Sequence, residues 1–210
     1  MRLPDPPLLV ITDRRQANRP IVEIAKALFA GGCRWLSLRE KDLAAEERLA
    51  LLRTLTAIGH RYGATVGIHD DVAAAAAIPG AALHLPEGGA VADARQHIGP
   101  KLVGISTHNA AGLARAAAAG ADYATLSPIF TSASKPEYGP ALGLAALGAA
   151  VRAARLPVLA LGGIDERTIG AVVETGAAGV AVMGELMRAG DPEKKAASLI
   201  ALLRATLAAR

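Results

Sequence analysis

The chain has 210 residues, of which 52% are hydrophobic and 3% aromatic, and it carries a formal net charge of +4. That length buries one substantial core and stands at the lower end for an α/β barrel, so a single domain over residues 1–210 is expected. So few aromatic rings leave little from which to build nucleic-acid stacking platforms. The positive charges come in singles and pairs, such as Arg14-Arg15 and Lys194-Lys195, with no basic block; a small anionic ligand suits this balance better than nucleic acid.

The opening Met1-Arg-Leu-Pro-Asp-Pro-Pro lacks the apolar run of a signal peptide. No apolar stretch reaches the roughly 18 residues of a membrane span, so a cytoplasmic protein with no membrane partner is expected. Homo-oligomerisation is compatible with the sequence and is not specified by it. The lone Cys33 excludes an internal disulfide and reads as a small half-buried apolar residue.

Eight short apolar runs follow one another: Leu8 to Thr12, Trp35 to Arg39, Thr65 to His69, Ala82 to Leu85, Leu102 to Ser106, Tyr123 to Ser127, Pro157 to Leu161 and Gly179 to Met183. Each is bounded by turn or polar residues and followed by a helix-like segment. Strands alternating with helices pair in parallel through right-handed crossovers, and eight such units predict an α/β fold closed as a single (β/α)8 TIM barrel. An open doubly wound sheet is the alternative, but no Gly-x-Gly-x-x-Gly follows the first strand.

Several helices announce their faces and ends. Between Leu43 and Tyr62, residues Leu51, Leu55, Ile58 and Tyr62 predict a buried stripe, with Glu46, Glu47, Arg53, Thr54, His60 and Arg61 opposite. Asp191-Pro192-Glu193 is a helix start, because the carboxylate accepts from orphan amides and proline suits the first turn. The helix it opens is expected to bury Leu199, Ile200, Leu203 and Leu207. Asn109 and Asp165 read as further N-caps.

The interruption of this rhythm is Leu126 to Gly143, a connection rich in hydroxyls, Pro and Gly that is too long to be a mere connector. Thr131, Ser132, Ser134 and Lys135 within it are the groups one would place around phosphoryl oxygens.

In such a barrel the loops after the strands converge on one face. Collected by that rule, Arg39 and Lys41 follow strand two and share a side in extended geometry, where a diphosphate could lie between them. A solvated cluster with Glu40 and Asp42 is the alternative. Asp70 and Asp71 follow strand three; Asp70 is the better Mg2+ ligand and Asp71 the better helix cap. Ser106 ends strand five. Gly162-Gly163 and Met183-Gly184 follow the last two strands, where barrels often hold phosphate on backbone amides, although tight turns alone would also require glycine there. Among the histidines, His69 at a strand end is the candidate for the pocket, while His60 and His97 sit on polar helix faces.

These residues together resemble the thiamine phosphate synthase family, which includes the TenI-type thiazole tautomerases. The matching pieces are Ile11-Thr-Asp13, Leu38-Arg-Glu-Lys41, Asp70, Gly104-Ile-Ser106-Thr-His108, Gly120-Ala-Asp-Tyr123, Ser127-Pro-Ile-Phe130 with Ser132, Ser134 and Lys135, Leu161-Gly-Gly-Ile164, and Gly176 to Met183. The resemblance implies coupling of a hydroxymethylpyrimidine diphosphate to a hydroxyethylthiazole phosphate, releasing diphosphate with Mg2+ as cofactor. It further implies that Arg39, Lys41, Ser132, Ser134, Lys135 and Mg2+ on Asp70 stabilise the leaving diphosphate. Ser106 would face the pyrimidine, and the amides of Gly162, Met183 and Gly184 would hold the thiazole phosphate.

The chain departs from the synthase pattern in carrying Ser37 for Gln, His69 for Asn, and no second metal Asp near Gly88-Gly89. The segment Leu83 to Gly88 looks like the TenI branch, whose tautomerising His would fall at Pro128. The chain sits between the branches, so a TenI-like tautomerase and a non-catalytic phosphate-binding relative stand beside the synthase as alternatives.

Overall fold

Every one of the eight apolar runs forms a strand in the computed structural model, which describes residues 2–132 and 139–210. The strands are β1 Leu8–Ile11, β2 Trp35–Leu38, β3 Thr65–His69, β4 Ala82–Leu85, β5 Val103–Thr107, β6 Tyr123–Leu126, β7 Val158–Leu161 and β8 Gly179–Val182. Between them run α1 Ile21–Ala30, α2 Ala45–His60, α3 Val72–Ala77, α4 Val91–Ile98, α5 Ala110–Ala118, α6 Gly143–Ala153 and α7 Ile169–Glu174, and α8 Gly184–Met187 and α9 Pro192–Ala208 follow β8. All neighbours pair in parallel and β1 also pairs with β8, which closes the barrel in chain order. The predicted bounds shift by about one residue, as where β5 runs from Val103 to Thr107.

Side-chain alternation along each strand builds two separate cores. Residues such as Val10, Leu36, Ile68, Leu83 and Val180 face outward and pack under the helices. The opposite parity, Leu9, Ile11, Trp35, Ala82, Tyr123, Leu159 and Ala181, packs inside the barrel. The Trp35 and Tyr123 rings meet edge-on at 4.8 Å. This interior set turns polar toward the strands' C-terminal ends, where the same parity brings in Ser37, His69, His84, Ser106 and Thr125.

Helix ends follow the sequence with one exception. Asp191 accepts from the Lys194 amide at 3.1 Å, Asn109 from the Gly112 amide at 2.8 Å, and Asp71 from the Ala74 amide at 2.9 Å. Asp165 instead closes a turn ahead of α7, accepting from the amides of Arg167 and Thr168, and Thr168 is the capping residue. The buried face of α2 runs through Leu52, Leu55 and Gly59, with Leu51 and Ile58 half-buried and Tyr62 exposed beyond the helix end. Gly59 is invisible to a hydrophobic pattern, yet a Cβ there would stand 2.7 Å from Val66 Cγ2; the missing side chain is what lets α2 approach β3. In α9, Leu199, Ile200 and Leu203 are buried as expected, joined by Ala196, and Leu207 is half-buried. No helix among the described residues is long and apolar enough to cross a membrane.

Candidate active site

A cavity of about 750 Å3 opens at the C-terminal ends of the strands. The candidates Arg39, Lys41, His69, Asp70, Ser106, Ser132, Gly162, Met183 and Gly184 all line it, although they come from the C-terminal ends of six different strands and the segments that follow them. Ser134 and Lys135 lie outside the described residues.

The connection after β2 shows how alternation is converted into a directed pair of cations. Glu40 is 2% exposed and both its carboxylate oxygens accept from the Arg14 amide, at 2.9 and 3.2 Å, so it faces back into the loop after β1. The Arg39 amide donates to the buried Thr12 hydroxyl at 2.9 Å. With the backbone held on both sides, Arg39 and Lys41 project into the cavity. Asp42 pairs with Arg14 at 2.7 Å and Arg15 at 3.3 Å, so the ion-pair cluster expected as the alternative does form, but with cations of the β1 loop.

Asp70 and its neighbour divide as anticipated. Asp71 caps α3 and takes an ion pair from Arg48 at 3.0 Å. Asp70 lies in the left-handed region at φ +53°, the one non-glycine residue among those described to do so, and it borders the cavity. Aspartate tolerates that conformation better than most residues but is still strained in it, and such strain concentrates at functional positions.

The glycine pair after β7 serves two purposes at once. A Cβ on Gly162 would stand 3.0 Å from Pro128 Cα, and one on Gly163 would stand 2.6 Å from Phe130 Cβ. Glycine therefore lets the loop after β7 press against the long β6 connection, while Gly162 and Gly163 still border the cavity. Gly184 begins α8 and is buried beside Met183 at the same mouth.

Beneath the mouth lies a polar layer that the sequence only partly disclosed. The Ser37 hydroxyl and His69 Nδ1 are 2.9 Å apart. The His69 ring lies 4.5 Å from that of His84, which is 1% exposed. His84 lies under the cavity floor, where burial pushes its pKa down to about 3 and keeps it neutral.

His108 lines the cavity with Nδ1 2.8 Å from the Ser127 carbonyl oxygen and Nε2 3.8 Å from Glu87. Glu87, Asp165, Arg167, Glu185 and Arg188 also reach the cavity. Sequence reasoning passed them over, yet Glu87 follows β4 by two residues and the others follow β7 and β8, so extending the strand-end rule a few positions would have found them. Most are tied down: Arg167 pairs with Asp165 at 2.7 Å and Glu185 with Lys195 at 2.7 Å, while the Arg188 guanidinium reaches the Gln16 amide oxygen. Burial works against ionisation of Asp165, but hydrogen bonds from Arg167 and Thr168 outweigh it and hold the carboxyl below its usual range. Among the described residues, Arg39 and Lys41 make no side-chain ion pair, so they are the cations presented unpaired to a ligand.

A closed parallel barrel with cations, hydroxyls, a strained carboxylate and glycine turns around the mouth at its C-terminal face defines a protein of the (β/α)8 barrel class. Comparison with known proteins narrows this. The model of the thiamine monophosphate synthase family matches residues 8–186, and the chain belongs to that family. The thiamine-phosphate synthase of Chlorobium luteolum is 36% identical over 211 residues, covering 99% of this chain and 98% of that protein. The thiamine-phosphate synthase of Roseiflexus sp. is 35% identical over 201 residues, covering 94% of this chain and 85% of its own length. Among solved structures, thiamine phosphate pyrophosphorylase from Pyrococcus furiosus superposes with a TM-score of 0.87 at 27% identity, over 95% of this chain and 96% of the other.

Proposed function

We propose that the protein is a thiamine-phosphate synthase, a cytoplasmic transferase that joins a hydroxymethylpyrimidine diphosphate to a hydroxyethylthiazole phosphate. The convergence of Arg39, Lys41, Asp70, Ser106, Gly162, Met183 and Gly184 on one cavity carries this reading, because both precursors are phosphorylated and must meet in one water-poor space. The relatives that span nearly the whole chain bear the synthase name, which favours this reaction over thiazole tautomerisation or binding without turnover.

In the reaction, the bond between the pyrimidine methylene carbon and the diphosphate oxygen breaks, and its electron pair leaves with the diphosphate. The thiazole ring nitrogen then supplies the pair for the new carbon–nitrogen bond. Charge builds on the departing oxygens, and Arg39 and Lys41 are placed to stabilise it; one such preorganised contact is worth about 3 kcal/mol in rate. Ser132, Ser134 and Lys135 of the long connection would complete that cradle.

Asp70 offers the cavity one carboxylate, which fits Mg2+, since that ion uses one or two carboxylates and takes the rest of its shell from water and phosphate. Asp70 would hold the ion, which supplies charge neutralisation of the diphosphate when bound. His69 and Ser106 would border the pyrimidine, and the backbone at Gly162, Met183 and Gly184 would receive the thiazole phosphate. The thiazole nitrogen attacks without losing a proton, so no general base is required.

The test is incubation of the purified protein with both precursors and Mg2+. Thiamine phosphate and one equivalent of diphosphate are the expected products. Isomerised thiazole, or tight binding of either precursor without turnover, overturns the proposal in favour of the corresponding alternative.

A further inference from the structure

On β4, β5 and β6, the residues His84, Ser106 and Tyr123 share the inward parity and meet below the cavity. His84 Nδ1 lies 3.0 Å from the Tyr123 hydroxyl, and His84 Nε2 lies 3.0 Å from Ser106 Oγ. Tyr123 and His84 are each 1% exposed, whereas Ser106 borders the cavity.

Hydrogen bookkeeping fixes the direction of this chain. A neutral imidazole donates through one ring nitrogen and accepts through the other. The Tyr123 hydroxyl has no hydrogen-bond partner other than His84 among the described residues. If His84 Nδ1–H donated to it, the phenolic proton would be buried without an acceptor, an arrangement that proteins avoid. Tyr123 must therefore donate to Nδ1, which leaves the proton of His84 on Nε2, donating to Ser106 Oγ. Ser106 accepts from below, and its own proton is left to point into the cavity. Burial supports the assignment, since it lowers the basicity of His84 and raises the Tyr123 hydroxyl well above the usual phenol range.

We propose that Tyr123 and His84 are positioning residues, a one-way hydrogen-bond relay that fixes Ser106 as a donor toward the cavity and so selects a substrate presenting an acceptor atom there. Resting on the synthase reading, that atom belongs to the pyrimidine diphosphate, and a precursor presenting an N–H at the same point is rejected because two donors would face each other.

Two measurements test the relay. Nitrogen NMR of the histidine side chains in the wild-type protein reads the tautomer of His84 without reference to activity. The expected result is the Nε2–H form, unchanged between about pH 5 and 8, where an ordinary histidine titrates. The Nδ1–H form, a mixture of the two or a titrating ring overturns the proposal. The second measurement is a double-mutant cycle with Tyr123→Phe and Ser106→Ala, reading kcat/KM for the pyrimidine diphosphate. Tyr123→Phe is expected to lose about tenfold when Ser106 is present, the worth of one strong hydrogen bond, and to lose little once Ser106 is gone. An equal loss in both backgrounds would mean that Tyr123 acts only by packing, and the relay would be refuted. If the wild type does not couple the precursors at all, the synthase reading fails, and the His84 tautomer still decides the relay by itself.

Discussion

The Ser37 hydroxyl and His69 Nδ1 stand 2.9 Å apart, joining the second and third strands just below the cavity. Both are positions where the chain departs from the synthase pattern, Ser for Gln and His for Asn, and the departures contact each other. Side chains in direct contact couple energetically, so the two positions are expected to act as one unit. Converting either residue alone to the family's type is therefore expected to be harmful, since Ser37→Gln adds a long side chain at a position 2% exposed and His69→Asn leaves the Ser37 hydroxyl without its partner. Each single variant is expected to lose about 1–2 kcal/mol of stability, and the double variant to recover about 1 kcal/mol of the summed loss. Urea midpoints of the four proteins measure this coupling; strict additivity would show that the two sites are independent.

Gly104 and Tyr123 form the second tight relationship. A Cβ on Gly104 would fall 2.0 Å from Tyr123 Cζ, so the ring owes its place across the barrel to the absent side chain. Gly104→Ala must push the phenol away from His84 or bend β5, and overpacking of this kind costs about 1–3 kcal/mol. The expected outcome is a clear drop in Tm together with weakened turnover. Addition of Tyr123→Phe should not restore the Tm, because the clash is with the ring itself.

Asp70 offers a trade between stability and activity. Its φ of +53° is costly for any residue with a Cβ, and glycine adopts it freely. Asp70→Gly is expected to raise stability by about 1 kcal/mol while abolishing the response of the activity to Mg2+. A magnesium titration of the variant beside a thermal melt checks both halves. Retention of the wild-type Mg2+ dependence would remove Asp70 from the metal site.

Much of this was open to inspection in the sequence, for a physical reason. Strand runs such as Thr65 to His69 and Ala82 to Leu85 are short, apolar and flanked by turn residues, and a parallel barrel brings every strand end to one rim; listing polar residues at those ends therefore found Arg39, Lys41, Asp70 and Ser106 together. What stayed hidden depended on contacts across strands. Nothing along the chain says that Ser37 touches His69, or that His84 rests between Tyr123 and Ser106, because each pair is more than 20 residues apart and is joined only by barrel register. The α2 face was misplaced for a related reason, since Gly59 contributes to packing by what it lacks. Glu40 read as one charge in a solvated run, although its burial against the Arg14 amide is what turns its neighbours toward the cavity.

Lys195 bridges Glu166 at 2.6 Å and Glu185 at 2.7 Å, tying α9 to the loop after β7 and to α8, whose Glu185 borders the cavity. The hydrogen bond from Lys195, helped by Ser198, holds the Glu166 carboxyl below its usual range against the opposing effect of burial. The same two carboxylates raise the Lys195 ammonium above its ordinary value. A depressed carboxyl stabilises the fold above its unfolded-state pKa of about 4.3 and loses that contribution as the pH falls through the folded value. A raised ammonium contributes fully below about 10.4 and loses its contribution only as the pH climbs through the folded value. The bridge thus works from about pH 5 to 10, and because all three side chains are about a quarter to a third exposed its worth is below about 1 kcal/mol. Lys195→Met is expected to lower the urea midpoint slightly at neutral pH, and the difference from wild type should shrink as the solution is acidified through the depressed folded-state value of Glu166. A difference that stays constant across that range would mean that the lysine contributes through its apolar stem and not through its charge.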